Sequence, residues 1–141
     1  MRKAQNKISV RAPRKGLTEI TLQVAECLAE FPPDRLKESS LCHLFILHTS
    51  ASLIIQENAD PSARKDLEAY FERLVPPLQD YFTHTAEGPD DMPSHIKAVL
   101  TQTSLSIPLE EGRLALGTWQ GIYLWEHRQD PPIRKIMLTV V

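Results

Sequence analysis

The sequence predicts an α+β fold, a compact single domain of antiparallel sheets with two or three helices. Strand-like alternation of apolar and polar residues occupies both ends of the chain, and helix-like spacing is interposed between them. The regular strand–helix–strand alternation of a doubly wound parallel sheet is missing. The 141 residues suit one hydrophobic core, so a single domain over 1–141 is expected.

The elements follow in order. KISVRA (7–12) and LTEITLQV (17–24) both alternate, and Pro13 and Gly16 between them are turn formers, which predicts an opening hairpin. AECLAEF (25–31) shifts to helical spacing and predicts a short helix ended by Pro32 and Pro33. LCHLFILH (41–48) and the SLIIQE segment from Ser52 are dense in strand formers, and the HTSA bend between them predicts a second strand pair. The clearest helix starts after Asp60, a good N-cap, with Pro61 in the first helical position. Ala63, Leu67, Tyr70, Phe71 and Leu74 draw its apolar stripe, and Pro76 and Pro77 end it. Residues 78–94 have no apolar period and read as a long polar loop, a place to look for chemistry. HIKAVLTQ (95–102) predicts a short helix. SLSIPL (104–109), RLALG (113–117), WQGIYLWEH (119–127) and IRKIMLTVV (133–141) predict an antiparallel meander.

Composition excludes several function classes. With 42% apolar and 24% charged residues the chain has the balance of a folded globular domain. A net charge of −2 supplies no basic field for nucleic acid or anionic lipid, so neither partner is expected. No apolar run approaches the roughly 18–20 residues that span a bilayer, and MRKAQNK lacks a secretory apolar region; a cytoplasmic location is expected. Cys27 and Cys42 lack CxxC spacing and sit in apolar segments, which predicts buried thiols. Five glycines form neither GxGxxG nor GxxxxGK[ST], which disfavours nucleotide hydrolysis.

The histidines carry the strongest chemical signal. His48, His84 and His95, with His127 as the neighbouring alternative, lie in separate polar strings, and neutral imidazole is the commonest metal ligand. Glu87, Asp90 and Asp91 add oxygen ligands or carboxylates that orient the imidazoles. These residues point to one divalent ion, zinc or magnesium, on His48, His84 and His95, with Asp91 or Glu126 beside it. The competing reading is that each histidine is only a hydrogen-bonded structural residue, since no HExxH signature is present. Thr49, Ser50 and Ser52 place hydroxyls beside backbone N–H groups, a cradle for phosphate. Thr118, Trp119 and Gln120 follow Gly117, an order in which an aromatic face and an amide can wall a pocket. Glu126 inside YLWEH must be paired, solvated or held for acid–base work, so Glu126, His48 and His95 are the candidate catalytic residues.

HTSASLIIQENADP (48–61), HTAEGPDDMPSHIK (84–97) and GRLALGTWQGIYLWEHR (112–128) together resemble the YjbQ-like family, also called the secondary thiamine-phosphate synthase family. The resemblance runs from about residue 7 to the C-terminus. It implies a compact α+β fold, a homotrimer, and a weak thiamine-phosphate synthase activity, in which a hydroxymethylpyrimidine diphosphate alkylates a thiazole phosphate. It also makes Asn58 a ligand-binding candidate. The alternative is a non-catalytic trimer that binds metal or a phosphate ligand, or an enzyme of another small phosphorylated metabolite.

Overall fold

The structure, a computed structural model, describes residues 4–141. Its strands are β1 (Gln5–Val10), β2 (Gly16–Glu19), β3 (Leu41–Ile46), β4 (Ala51–Glu57), β5 (Ser104–Glu110), β6 (Arg113–Leu114), β7 (Gln120–Glu126) and β8 (Arg134–Val140). Its helices are α1 (Thr21–Ala29), α2 (Pro33–Glu38), α3 (Pro61–Leu74) and α4 (Asp91–Leu100). All strand pairs are antiparallel. One sheet has the order β1-β8-β3-β5-β6 and the other β2-β7-β4. The α+β expectation holds.

Apolar side chains from both sheets meet in one core. Ile8, Val10, Leu44, Ile46, Ile136 and Leu138 face Leu53, Ile122 and Leu124, with Val24, Leu28 and Phe31 from the α1 region closing one side. A second cluster lies on the other face of the three-stranded sheet, where Leu17, Tyr123 and Trp125 pack with Phe71 and Val75. Strand β7 is therefore covered on both faces, and every residue from Gly121 to His127 is buried. Phe71 and Trp125 stack with ring centroids 4.5 Å apart, which makes Trp125 a core residue.

Three expected strand pairings differ. The late strands form no meander beyond β5 and β6, since β7 lies between β2 and β4 in the small sheet and β8 between β1 and β3 in the large one. β1 and β2 do not form a hairpin: Ile8 pairs with Ile136 of β8, and Leu17 with Trp125 of β7. β3 and β4 likewise separate, since β3 lies between β5 and β8 while β4 pairs with β7. Alternation specifies that a segment is a strand and which side chains point inward, but not its partner. The short links carry the chain between sheets, and Gly16 at φ 119° makes the first of these changes of direction where a side chain would be strained.

Helix boundaries also differ. Thr21–Val24, expected as strand, is the first turn of α1, because Val24, Cys27 and Leu28 then share a buried face. Thr21 Oγ1 accepts from the Ile122 N–H at 2.9 Å, so it still ties this turn to β7. Pro33 begins α2 as well as ending the preceding segment, the N1 role of proline. The RLALG strand shortens to Arg113–Leu114. In α3 the Asp60 side chain accepts from the Ser62 N–H at 2.9 Å, a cap worth about 1 kcal/mol. Phe71 of its predicted stripe is buried, but Tyr70 and Leu74 are exposed, because the helix touches the small sheet along a narrow line. Cys27 and Cys42 are buried free thiols, and burial, with Cys27 nearby, pushes Cys42 up to about 12. Among the described residues no helix is long and apolar enough to cross a membrane.

Candidate functional site

The end of the expected polar loop is helical. α4 begins at Asp91, not at His95, so Asp91 and His95 stand one turn apart on the same helical face. Just before it, Gly88 at φ 102° turns the chain, and the Asp91 N–H returns to the Gly88 carbonyl at 3.3 Å. That turn brings His84 and Glu87 over the first turn of the helix. The ligand atoms of His84, Glu87, Asp91 and His95 all lie within 4.8 Å of one another.

Asp91 is the buried centre of this group, only 2% exposed. Its Oδ2 receives His84 Nε2 at 2.7 Å and His95 Nε2 at 3.1 Å, and its Oδ1 is held by the Arg128 guanidinium. Glu87 Oε2 is 3.8 Å from His84 Nε2. Burial alone would raise the Asp91 carboxyl. The hydrogen bonds with His84 and Glu87 and the charges of His95 and Arg128 together outweigh it, so the group is held below the usual carboxylate range. Arg128 also reaches Asp90 Oδ2 at 3.2 Å and the Glu87 carbonyl at 3.0 Å, and Asp90 Oδ2 accepts the Gln129 N–H at 2.7 Å. The segment after β7 is thereby fastened to the loop.

The tautomer of His95 follows from its partners. Nδ1 lies 2.9 Å from the Thr49 carbonyl oxygen, which can only accept, so Nδ1 carries a proton. In the neutral ring Nε2 is then a lone pair aimed at Asp91 Oδ2, another acceptor. A proton or a cation must stand between them. An imidazole whose far nitrogen donates to a backbone carbonyl is the usual arrangement of a metal-bound histidine. Two imidazole nitrogens with two carboxylates suit zinc or a similar transition ion better than magnesium, which prefers oxygen ligands and bound waters.

The structure brings His84 and His95 together and leaves His48 outside their group. His48 Nε2 accepts the Lys135 N–H at 2.8 Å, and burial, then the Arg134 charge, lowers its pKa. Thr49 contributes its carbonyl to His95. The Ser50 carbonyl accepts from Arg134 Nη2 at 3.2 Å and from the His127 N–H at 3.3 Å. His127 pairs through Nε2 with Ser52 Oγ at 2.8 Å, and both are sealed from solvent. Glu126 is fully buried against Arg134, with Oε1 to Nε 2.8 Å and Oε2 to Nη2 2.5 Å. Of the two carboxylates expected beside the histidines, the structure places Asp91 there and commits Glu126 elsewhere.

Asn58, Thr118, Trp119 and Gln120 gather at the opposite end of the small sheet. The Trp119 carbonyl accepts the Asn58 N–H at 3.0 Å, Gln120 Oε1 accepts the Gly117 N–H at 2.7 Å, and the Asn58 amide donates to Glu19 at 3.2 Å. Trp119 is 63% exposed. Along β4 and β7 the register runs from Ala51↔Glu126 to Glu57↔Gln120, about 20 Å at the usual rise per residue. One chain therefore presents two separated groups. Arg128 was missed by sequence reasoning; the only signal was a cation following YLWEH, facing an acidic loop.

Comparison with known proteins agrees with this architecture. The family described as UPF0047 protein YjbQ-like matches residues 6–141. The chain belongs to the YjbQ-like family. It is 46% identical to UPF0047 protein YjbQ of Salmonella typhimurium over 96% of both chains. It is 54% identical over 103 residues to a UPF0047 protein of Synechocystis, covering 73% of this chain and 70% of that one. A conserved hypothetical protein of Thermus thermophilus superposes with a TM-score of 0.82 at 31% identity, over 96% of this YjbQ-like chain and 99% of that one.

Proposed function

We propose that this chain is a metal-assisted enzyme of small phosphorylated metabolites, with one divalent ion, most simply zinc, held by His84, His95 and Asp91 and with Glu87 at the open side. The observation that carries the reading is His95, whose Nδ1–H is tied to the Thr49 carbonyl while Nε2 faces the buried Asp91. The reaction in view is the alkyl transfer of thiamine-phosphate synthesis that the family resemblance implies. The C–O bond to the diphosphate breaks with both electrons leaving on oxygen, and a thiazole nitrogen lone pair forms the new C–N bond. A divalent ion supplies neutralisation of the diphosphate charge. The exposed faces of His84 and Glu87 leave room for that group to approach.

Calorimetric titration with zinc tests the site. Wild type is expected to take up one ion per chain, and His95→Ala and His84→Ala to weaken uptake by more than about 100-fold, beyond the cost of losing a group that only orients a ligand. Uptake should weaken in acid, because ligation needs neutral imidazoles and deprotonated carboxylates. No uptake by wild type, or equal uptake by both variants, overturns the reading.

The same reading includes the homotrimer of the resemblance, cytoplasmic and without nucleic-acid or membrane partners. Exposed Trp119, so far from the histidines, is supporting evidence, since a neighbouring chain can cover it. Sedimentation equilibrium at micromolar concentration should return three chain masses; a monomer mass counts against it.

A further inference from the structure

Next to the histidine cluster lies a cleft of about 430 Å³ between the end of β3 and α4. Phe45, Leu47, Ala98 and Val99 supply apolar walls, and His48 and His95 also line it. The volume is within the range of small-molecule sites, which are mostly apolar with a few placed polar groups. His95 belongs to both places: it lines the cleft and reaches Asp91.

The cleft also has a defined donor. Because Lys135 N–H donates to His48 Nε2, a neutral His48 carries its proton on Nδ1, and Nδ1 has no protein partner among the described residues. Burial and the Arg134 charge favour the neutral ring, so this single N–H persists at neutral pH. A donor that a bound body shields from water costs free energy unless it is paired, so an acceptor on that body is favoured there.

We propose that the cleft holds the uncharged body of the substrate, a flat ring carrying one hydrogen-bond acceptor that meets His48 Nδ1–H, while the substrate's phosphate lies at the neighbouring cluster. The inference rests on the metal reading for the phosphate end only. Phe45 adds an aromatic side chain to the lining, and Leu47 and Val99 add apolar surface beside it. A body of this kind, phosphorylated at one end, is selected over a bare phosphate by the cleft and over a hydrocarbon ring by His48.

The test uses 4-nitrophenylphosphonate, which is not a phosphate ester, with methylphosphonate as the ringless control, titrated into the zinc-loaded full chain. The aryl compound is expected to bind at least about tenfold more tightly. Ala98→Trp fills the cleft and should abolish that preference while leaving zinc uptake and methylphosphonate binding unchanged. Should this variant fail to fold, Val99→Trp, on a largely exposed side chain, serves instead. His48→Phe should keep the preference for phenylphosphonate over methylphosphonate but lose the added gain from the nitro group. The cleft is read without metal by 4-nitrophenol, which should shift the NMR signals of Phe45 and Val99 in wild type and not in Ala98→Trp. Failure of zinc uptake with those shifts present sinks the metal centre alone. Equal affinity for the two phosphonates, or unshifted Phe45 and Val99 signals because a second copy covers this face, overturns the cleft proposal.

Discussion

Glu126→Ala is expected to destabilise the fold by about 3–5 kcal/mol in chemical denaturation, the usual cost of removing one partner of a buried ion pair. Both carboxylate oxygens are engaged by Arg134, Oε2 also accepts the Arg128 N–H at 3.1 Å, and Arg134 continues to the Ser50 carbonyl. Removal leaves the buried Arg134, only 2% exposed, without its counter-charge. The double variant Glu126→Leu with Arg134→Met should recover much of the loss, because two apolar residues need no pairing. A single-variant loss below about 1 kcal/mol would show that the pair is dispensable. In this arrangement Glu126 anchors the start of β4, the end of β7 and the start of β8 beside the candidate site. Its carboxylate has no free oxygen for proton transfer.

Acid should unfold the protein in a window set by His127. Burial is the main cause, with the charges of Lys97, Arg134 and Lys15 adding to it, and together they bring this imidazole down to about 3. In the unfolded chain it titrates near 6.5. The unfolded state therefore binds a proton that the folded state refuses between those values, and stability falls as pH falls, by up to about 1.4 kcal/mol per pH unit. The effect of this group is absent above about 6.5 and complete near 3. His48, also lowered, adds to the same window in the same direction. Asp91, held below its ordinary value, begins to lose its stabilising contribution only as pH falls through the ordinary carboxylate range, with the same sign. Denaturation midpoints measured from pH 7 to pH 4 should drop steeply in wild type and less in His127→Gln. Parallel slopes in the two proteins would refute the assignment.

Much of the fold was legible because local patterns decide local structure. Asp60–Pro61 marked the start of α3, and the alternation from Ser104 onward marked the late strands, because both signals lie within a few residues. Partner choice was not legible: nothing within KISVRA says that its ladder is with β8, over a hundred residues away. At the site, His84, Asp91 and His95 were visible as residue types in one polar stretch. That His48 belongs to Lys135 and Glu126 to Arg134 depends on where β8 crosses, which the spacing of those residues does not contain.

The donor set of the cluster runs only from residue 84 to residue 95, all of it in the turn at Gly88 and the first turns of α4. No distant strand has to arrive for the four ligands to meet; the link to Thr49 only fixes the tilt of one ring. On the metal reading proposed above, ion uptake would be a local ordering event whose free energy acts on the opening equilibrium of this short segment. The core strands, whose exchange with solvent reports global unfolding, need not feel it. Such a centre would act as a clasp between this segment and the chain after β7, where Arg128 holds Asp91 and Asp90.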